Sequence, residues 1–175
     1  MSEALPRHGS FMYDFMHGEP KLQIKKARRF RFINKWFVVP LYRIYLLPLL
    51  GMGRVFLLIY HQGRKSGNRY ITPVEYRKKD SHILVFASRG TKTDWYRNAK
   101  ASPDQVRLRI GFHSYHNPQL EFLEKDEKLE TMTWYVTKFP KAASMLFGWD
   151  NATDEATPEL LEPISEFLEI IRISL

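Results

Sequence analysis

The residues best suited to chemistry in this sequence are basic side chains in two short, glycine-containing turns. The segment Gly63–Gly67 reads Gly-Arg-Lys-Ser-Gly, and the segment Arg89–Lys92 reads Arg-Gly-Thr-Lys. Glycine permits unusual backbone dihedral angles, so consecutive amides can face one concavity while the basic and hydroxyl side chains add donors. Such turns suit a phosphate or a carboxylate, with a solvated basic hairpin turn as the competing interpretation. The spacing is not that of a P-loop.

Other kinds of site find little support in the sequence. The chain has no cysteine, which excludes thiolate nucleophiles, disulfides and cysteine-ligated metals. His113 and His116 are predicted to lie in a loop without matching carboxylates, so they do not indicate a metal site. The abundant aromatic residues carry no recognisable RNA-binding signature, which disfavours nucleic acid as a partner.

Composition and charge narrow the class of protein. A length of 175 residues predicts one domain. A hydrophobic content of 44% excludes a disordered chain. The net charge is +8. The lack of cysteine favours the reducing cytoplasm. The positive charge favours an anionic partner, such as a phosphorylated cofactor or a lipid surface.

Hydrophobic patterning predicts an α+β fold that is mainly β, with a small antiparallel barrel and peripheral helices. The strands are predicted at Val55–Tyr60, Tyr70–Tyr76, His82–Ser88, Val106–Phe112, Leu120–Leu123 and Ile171–Leu175. The helices are predicted at Asp94–Ala101, at Asp126–Phe139 with a stop at Pro140, and from Pro158 after the capping residue Thr157.

The N-terminal part is strongly basic. Between Lys21 and Val74 there are twelve lysines and arginines and no acidic residue. Residues 1–35 are therefore predicted to be a basic arm or helix, either packed on the domain or lying on an anionic membrane surface at the inner face of the membrane. Residues 36–175 are predicted to form the barrel domain. The apolar run Trp36–Met52 is too short and interrupted to predict a spanning helix.

Five motifs follow one another in a characteristic order. They are the apolar strand before Gly63–Gly67, that turn itself, Thr72-Pro73, Ala87–Gly90 and Trp95–Asn98. This order and spacing resemble the deazaflavin-dependent nitroreductase family. The resemblance implies a split antiparallel β-barrel, similar to flavin-mononucleotide-binding proteins, that binds the reduced 8-hydroxy-5-deazaflavin coenzyme, F420. It also implies an oxidoreductase that transfers a hydride to a small-molecule acceptor: a quinone, a nitro compound or an activated double bond.

The same resemblance implies which residues bind the cofactor. Arg64, Lys65 and Ser66 would hold the phosphate and the lactyl-glutamyl tail, and Arg89 would add charge. The remaining positions would line the ring or complete the pocket wall: Tyr70, Thr72, Pro73, Glu75, Phe86, Ala87, Ser88, Trp95, Tyr96 and Asn98. No side chain is implied as catalytic and no metal is implied, because the hydride comes from the cofactor.

Several positions depart from the family pattern. Tyr70 stands where the family often has arginine, and Glu75 stands where some members have a ring-contacting tyrosine. Ala142 and Met145 occupy a region that carries substrate-side tyrosines in nitroreductases, so nitroimidazole reduction is not implied. A non-catalytic deazaflavin-binding protein and an enzyme using flavin mononucleotide (FMN) stay as alternatives, as do a monomer and a homodimer.

Overall fold

Seven β-strands form one antiparallel sheet in the computed structural model, which describes residues 4–175. The strands are β1 (Phe56–Gln62), β2 (Arg69–Lys79), β3 (His82–Ala87), β4 (Arg107–Ile110), β5 (His113–His116), β6 (Gln119–Phe122) and β7 (Glu169–Ser174). The helices are α1 (Tyr13–Met16), α2 (Pro20–Ile33), α3 (Val39–Arg43), α4 (Leu46–Leu49), α5 (Asp94–Ala101), α6 (Lys125–Lys138), α7 (Pro140–Phe147) and α8 (Pro158–Phe167).

The strand order requires the sheet to curl into a barrel. The order is β5-β4-β1-β2-β3-β7-β6, and every pairing in it is antiparallel. The two edge strands are joined only by Asn117 and Pro118, so the edges meet at that point. No hydrogen-bonded ladder joins them within residues 4–175, so the barrel is split there. The predicted split antiparallel β-barrel is confirmed.

Alternating side chains build two separate apolar layers. Leu57 and Ile59 of β1 point into the barrel, where alternate residues of the other strands and α5 meet them in one buried cluster. Leu84 of β3 points outward and packs under α6, α7 and α8. Leu58 also points outward and packs under Tyr42 of α3. The outer surface of β1–β3 is therefore bordered by two groups of helices.

The N-terminal helices lie on the outside of this barrel. Helix α2 continues through a π-helical turn at Asn34–Val38 into α3, so the backbone stays helical across the predicted boundary at residue 35. Pro40 lacks the N–H that the carbonyl of Trp36 would otherwise accept, which is a known cause of such irregular turns. Within residues 4–175 no helix is long and apolar enough to cross a membrane.

One prediction about secondary structure is wrong, and one helix was not predicted. Residues His113–His116 form strand β5 and not a loop, because Gly111, with φ of +58°, turns the chain back onto β4. Pro140 ends α6 but also begins α7, a helix that the sequence analysis missed. Proline suits the first turn of a helix because the N–H it lacks would have no partner there.

Candidate functional site

The turn between β1 and β2 is as tight as its glycines allow. The amide of Gly67 donates to the carbonyl of Gly63 over 2.8 Å, and Gly67 has φ of +67°. A Cβ atom at Gly63 would lie 2.7 Å from Ser66 Oγ and from the ring of Tyr70. The positive φ of Gly67 favours glycine there, and a side chain at Gly63 would force Ser66 or Tyr70 to shift.

Hydrogen bonds hold Arg64 of this turn in place, whereas Lys65 is exposed to solvent. Asn98 Oδ1 accepts hydrogen bonds from the backbone amide of Arg64 over 3.2 Å and from its guanidinium over 2.9 Å. The Arg64 guanidinium also lies 3.6 Å from Asp94 Oδ1. Lys65 is exposed and forms no ion pair within residues 4–175. The turn thus presents one oriented and one solvent-exposed positive charge.

His61 completes this arrangement, although the sequence analysis did not single it out. Its side chain is buried, and Asn98 Nδ2 donates to its Nδ1 over 3.1 Å. The other ring nitrogen, Nε2, then donates to Thr72 Oγ1 over 3.1 Å. Burial lowers the pKa of His61 to about 4, against which the charge of Asp94 acts weakly, so the ring is neutral at pH 7. Side chains alternate along β1, so residue 61 lies on the same face as the buried Leu57. This pattern could have indicated from the sequence that His61 is buried.

Tyr70 closes the network from the solvent side. Its ring stacks on the His61 ring with centroids 5.8 Å apart, and its hydroxyl lies 3.2 Å from Ser66 Oγ. The structure therefore brings together five of the predicted site residues, namely Arg64, Ser66, Tyr70, Thr72 and Asn98.

The second basic turn lies close to the first. Arg89 is half-buried, and its pKa is lowered by burial and by the charge of Arg31, while Asp94 raises it. Because Asp94 also contacts Arg64, the two predicted turns flank one carboxylate. Gly90 has φ of +53°, and a Cβ atom there would lie 2.2 Å from the carbonyl oxygen of Phe167. The absence of a side chain at Gly90 therefore lets the turn approach the end of α8 closely.

The outer face of β2 and β3 carries a third group of predicted residues. Glu75 accepts a hydrogen bond from the Tyr135 hydroxyl over 2.8 Å and pairs with Arg77 over 2.6 Å. The ring of Phe86 makes an edge contact with Tyr135 at 5.1 Å. Burial and the adjacent Glu75 raise the pKa of Tyr135, which stays neutral. Glu75 is thus already paired on the side facing α6, while Pro73 and Phe86 remain half-buried.

Other predicted residues belong to the barrel interior. Ala87, Trp95 and Tyr96 are buried in the interior cluster, and the Tyr96 hydroxyl donates to Glu169 Oε2 over 2.9 Å. Ser88, at the end of β3, is half-buried. The structure places these side chains behind the site, and their role as pocket wall stays a prediction.

The donor set fits an anionic cofactor. Lys65 is free, the Ser66 hydroxyl is accessible, and Arg89 has no ion pair within residues 4–175. Lys65 and Ser66 belong to the turn Gly63–Gly67 itself, and a Cβ atom at Gly63 would crowd the Ser66 hydroxyl. Within the same range, no group of three or more His, Asp or Glu side chains is placed to hold a metal ion.

Comparison with known proteins gives a family match over this region. The sequence model described as F420H(2)-dependent quinone reductase matches residues 48–144, which include both basic turns. A protein of Mycobacterium tuberculosis, Rv3178, itself named as a predicted F420H(2)-dependent quinone reductase, is 34% identical over 58 residues. That match covers 31% of this chain and 48% of Rv3178, so it spans about half of the relative.

Two solved structures show a looser likeness. One is described as an F420-H2 dependent reductase (FDR-A), is 21% identical, and has a TM-score of 0.46 over 69% of this chain and 95% of its own. Another, described as a domain-swapped dimer, is 17% identical, with a TM-score of 0.47 over 89% of this chain and 100% of its own. At TM-scores below 0.5 these likenesses do not decide the fold, which rests on the strand pairing.

Proposed function

The chain belongs to the F420H(2)-dependent quinone reductase family, and we propose that it is an oxidoreductase that uses the reduced deazaflavin coenzyme F420 to transfer a hydride to a quinone or a similar acceptor. The match over residues 48–144 confirms the family resemblance found in the sequence. The observation that carries the proposal is the turn Gly63–Gly67, where Asn98 fixes Arg64 beside a free lysine and a serine hydroxyl.

The residues of this chain would bind and orient the cofactor. Arg64, Lys65 and Ser66 supply the charge and donors for its phosphate, and Arg89 supplies a further charge. Because Arg64 is already held by Asn98, little side-chain freedom is lost when an anion binds. We assign the ring to the outer face of β2 and β3, over Pro73 and Phe86.

The bound deazaflavin supplies a hydride, which is a two-electron equivalent, so the protein needs no redox group of its own. The contribution of the chain is to fix the ring and the acceptor at short distance and to exclude water. The half-buried ring of Phe139 borders this face at the end of α6, next to the buried Tyr135. An apolar ring at this position suits a flat, apolar acceptor such as a quinone.

The first experiment is a fluorescence titration with F420, with FMN as competitor. We expect saturable binding of the deazaflavin that weakens as salt is added, since the contacts are ionic. Turnover of the reduced cofactor with menadione then separates an enzyme from a non-catalytic binding protein. Preference for FMN would instead assign the fold to flavin chemistry, and binding of neither would overturn the proposal.

A second proposal concerns the N-terminal surface, which we infer docks on an anionic membrane from the cytoplasmic side. Among residues 4–175, thirteen of the seventeen exposed large apolar side chains lie between Leu22 and Met52. Trp36 is 61% exposed and Leu49 is 72% exposed. The same stretch holds many lysines and arginines and no acid. Exposed aromatic residues beside cations are typical of interfacial helices, and quinones reside in membranes.

Vesicle co-sedimentation tests this docking. We expect the protein to pellet with vesicles containing anionic phosphatidylglycerol at low salt and to stay in solution with neutral phosphatidylcholine vesicles. Replacing Trp36 and Leu49 by serine should release the protein, whereas replacing exposed Met145 should not. Equal pelleting of all three proteins would contradict the proposal. Whether the protein is a monomer or a homodimer is measured in the same preparation by light scattering.

A further inference from the structure

A small cavity lies between α2 and the second basic turn. It has a volume of about 120 Å³. Phe15, Ile24 and Ala27 form its apolar part, and the polar side chains that line it are Gln23, Arg31, Arg89 and Lys92. Three of its seven lining residues are therefore cations, and none is acidic.

The charge of these three cations is only partly offset by the described residues. Arg31, Arg89 and Lys92 form no ion pair within residues 4–175, although the charge of Asp94 acts on Arg89. Lys26 of α2, in contrast, pairs with Asp14. Arg31 and Arg89 are close enough that the charge of one lowers the pKa of the other. Like charges that converge on a concave surface are costly unless an anion is shared between them. The arrangement therefore favours a bound anion.

The polar contacts place the donors at the cavity. Lys92 Nζ donates to Gln23 Oε1 over 3.5 Å, which directs its ammonium toward α2. Gln23 is itself fixed, because its Nε2 donates to the carbonyl of Gly18 over 2.9 Å. Two opposing walls, α2 and the turn Gly90–Lys92, thus present donors to one small volume.

Asp94 links the cavity residue Arg89 to the cofactor turn electrostatically, although it does not itself line the cavity. Asp94 lies 3.6 Å from Arg64 and acts on the charge of Arg89. An extended polyanion that runs from Gly63–Gly67 to Arg89 must pass the carboxylate of Asp94, whose charge is offset by Arg64 on one side and Arg89 on the other. Beyond Arg89 it meets Arg31 and Lys92.

We propose that this cavity is a second anion site, formed by Arg31, Arg89 and Lys92, that takes a carboxylate of the glutamyl tail of the cofactor. The proposal rests on the proposed use of F420. Arg31 and Gln23 precede the matched residues 48–144, so the family match does not supply this site. The proposal also gives α2 two functions, because its cavity side would bind the cofactor tail while its exposed side would dock on the membrane.

The test compares two forms of the cofactor: the form with its glutamyl tail, and the form that ends at the lactyl group. For the double variant Arg31→Gln, Lys92→Gln we expect the Kd of the tailed form to rise about tenfold, because two charge-assisted contacts are lost. The Kd of the form without the tail should stay unchanged. The matched control is Lys25→Gln, Arg28→Gln, which removes two exposed charges from α2 that do not line the cavity.

The Kd values of the two cofactor forms separate failure of the second anion site from failure of the proposed function. Equal weakening of both cofactor forms, or of neither, would overturn the second anion site while leaving the proposed function intact. Failure of the unmodified protein to bind either form would overturn the proposed function instead. Binding to phosphatidylglycerol vesicles should fall in the Lys25, Arg28 control and not in the cavity variant. The reverse result would assign the cavity to a lipid phosphate and contradict the proposal. Circular dichroism spectra of both variants show whether α2 remains folded.

Discussion

The polar groups around His61 and those on α2 have opposite environments. The His61 ring makes two hydrogen bonds, and Asn98 satisfies both His61 and Arg64. On α2 and the turn after it, seven basic residues lie between Lys21 and Lys35, and only Lys26 has an ion pair within residues 4–175. Polar groups that are hydrogen-bonded within the chain fix the geometry of the site. Cations without an ion-pair partner are available to bind an anionic ligand.

The apolar side chains show the same contrast. Leu58 is fully buried under α3, and Leu50 is 70% exposed. Replacing Leu58 by alanine should lower the free energy of unfolding by about 2–5 kcal/mol, because a cavity forms in the core. The change Leu50→Ala should alter it by less than about 0.5 kcal/mol.

Urea unfolding measures the change in the free energy of unfolding for both variants. For vesicle binding we expect the larger effect from Leu50→Ala and not from Leu58→Ala. Leu50→Ala should weaken pelleting with anionic vesicles, and Leu58→Ala should not do so in the folded protein. Similar destabilisation by the two changes would show that residues 46–52 are packed against the barrel and are not available to a membrane.

The buried histidine predicts a pH dependence of stability. Its pKa is depressed to about 4 in the folded protein, while the unfolded chain has the ordinary value of 6.5. The unfolded state therefore binds the proton first as the pH falls. The free energy of unfolding should then decrease by up to about 1.4 kcal/mol per pH unit between 6.5 and 4.

Chemical unfolding at a series of pH values measures this slope. In the variant His61→Gln the contribution should be absent, whereas the exposed His113→Gln should keep it. An unchanged slope in His61→Gln would show that other groups carry the acid sensitivity. It would then count against a neutral, buried His61.

A smaller effect is expected at the cofactor turn. Arg64→Ala should raise the Kd for F420 about tenfold, which is about 1.4 kcal/mol. Because Asn98 acts on the anion through Arg64, adding Asn98→Ala should weaken binding little further. The control is Arg97→Ala, which removes an exposed arginine from the same helix as Asn98 and should leave the Kd unchanged. Additive losses in the double variant would show that Asn98 does not act through Arg64.

Several features of the site could be predicted from local sequence. The glycines at 63 and 67, with Arg64 to Ser66 between them, indicated an anion-binding turn, since a turn depends on neighbouring residues. His61 was missed because its partners, Thr72 and Asn98, are 11 and 37 residues away along the chain. The pairing of Glu75 with Tyr135 was equally invisible, since it joins a strand to α6 across 60 residues.

By itself, the sequence determined the strands with clear alternation, the two basic turns and the order of motifs that identifies the family. These depend on residue type and short-range spacing, which the chain carries locally. Only the tertiary structure decided that Asn98 faces both His61 and Arg64, and that Arg31 and Arg89 line one cavity. Such contacts depend on how the whole sheet curls and where α2 packs, and periodicity along the chain does not encode that geometry.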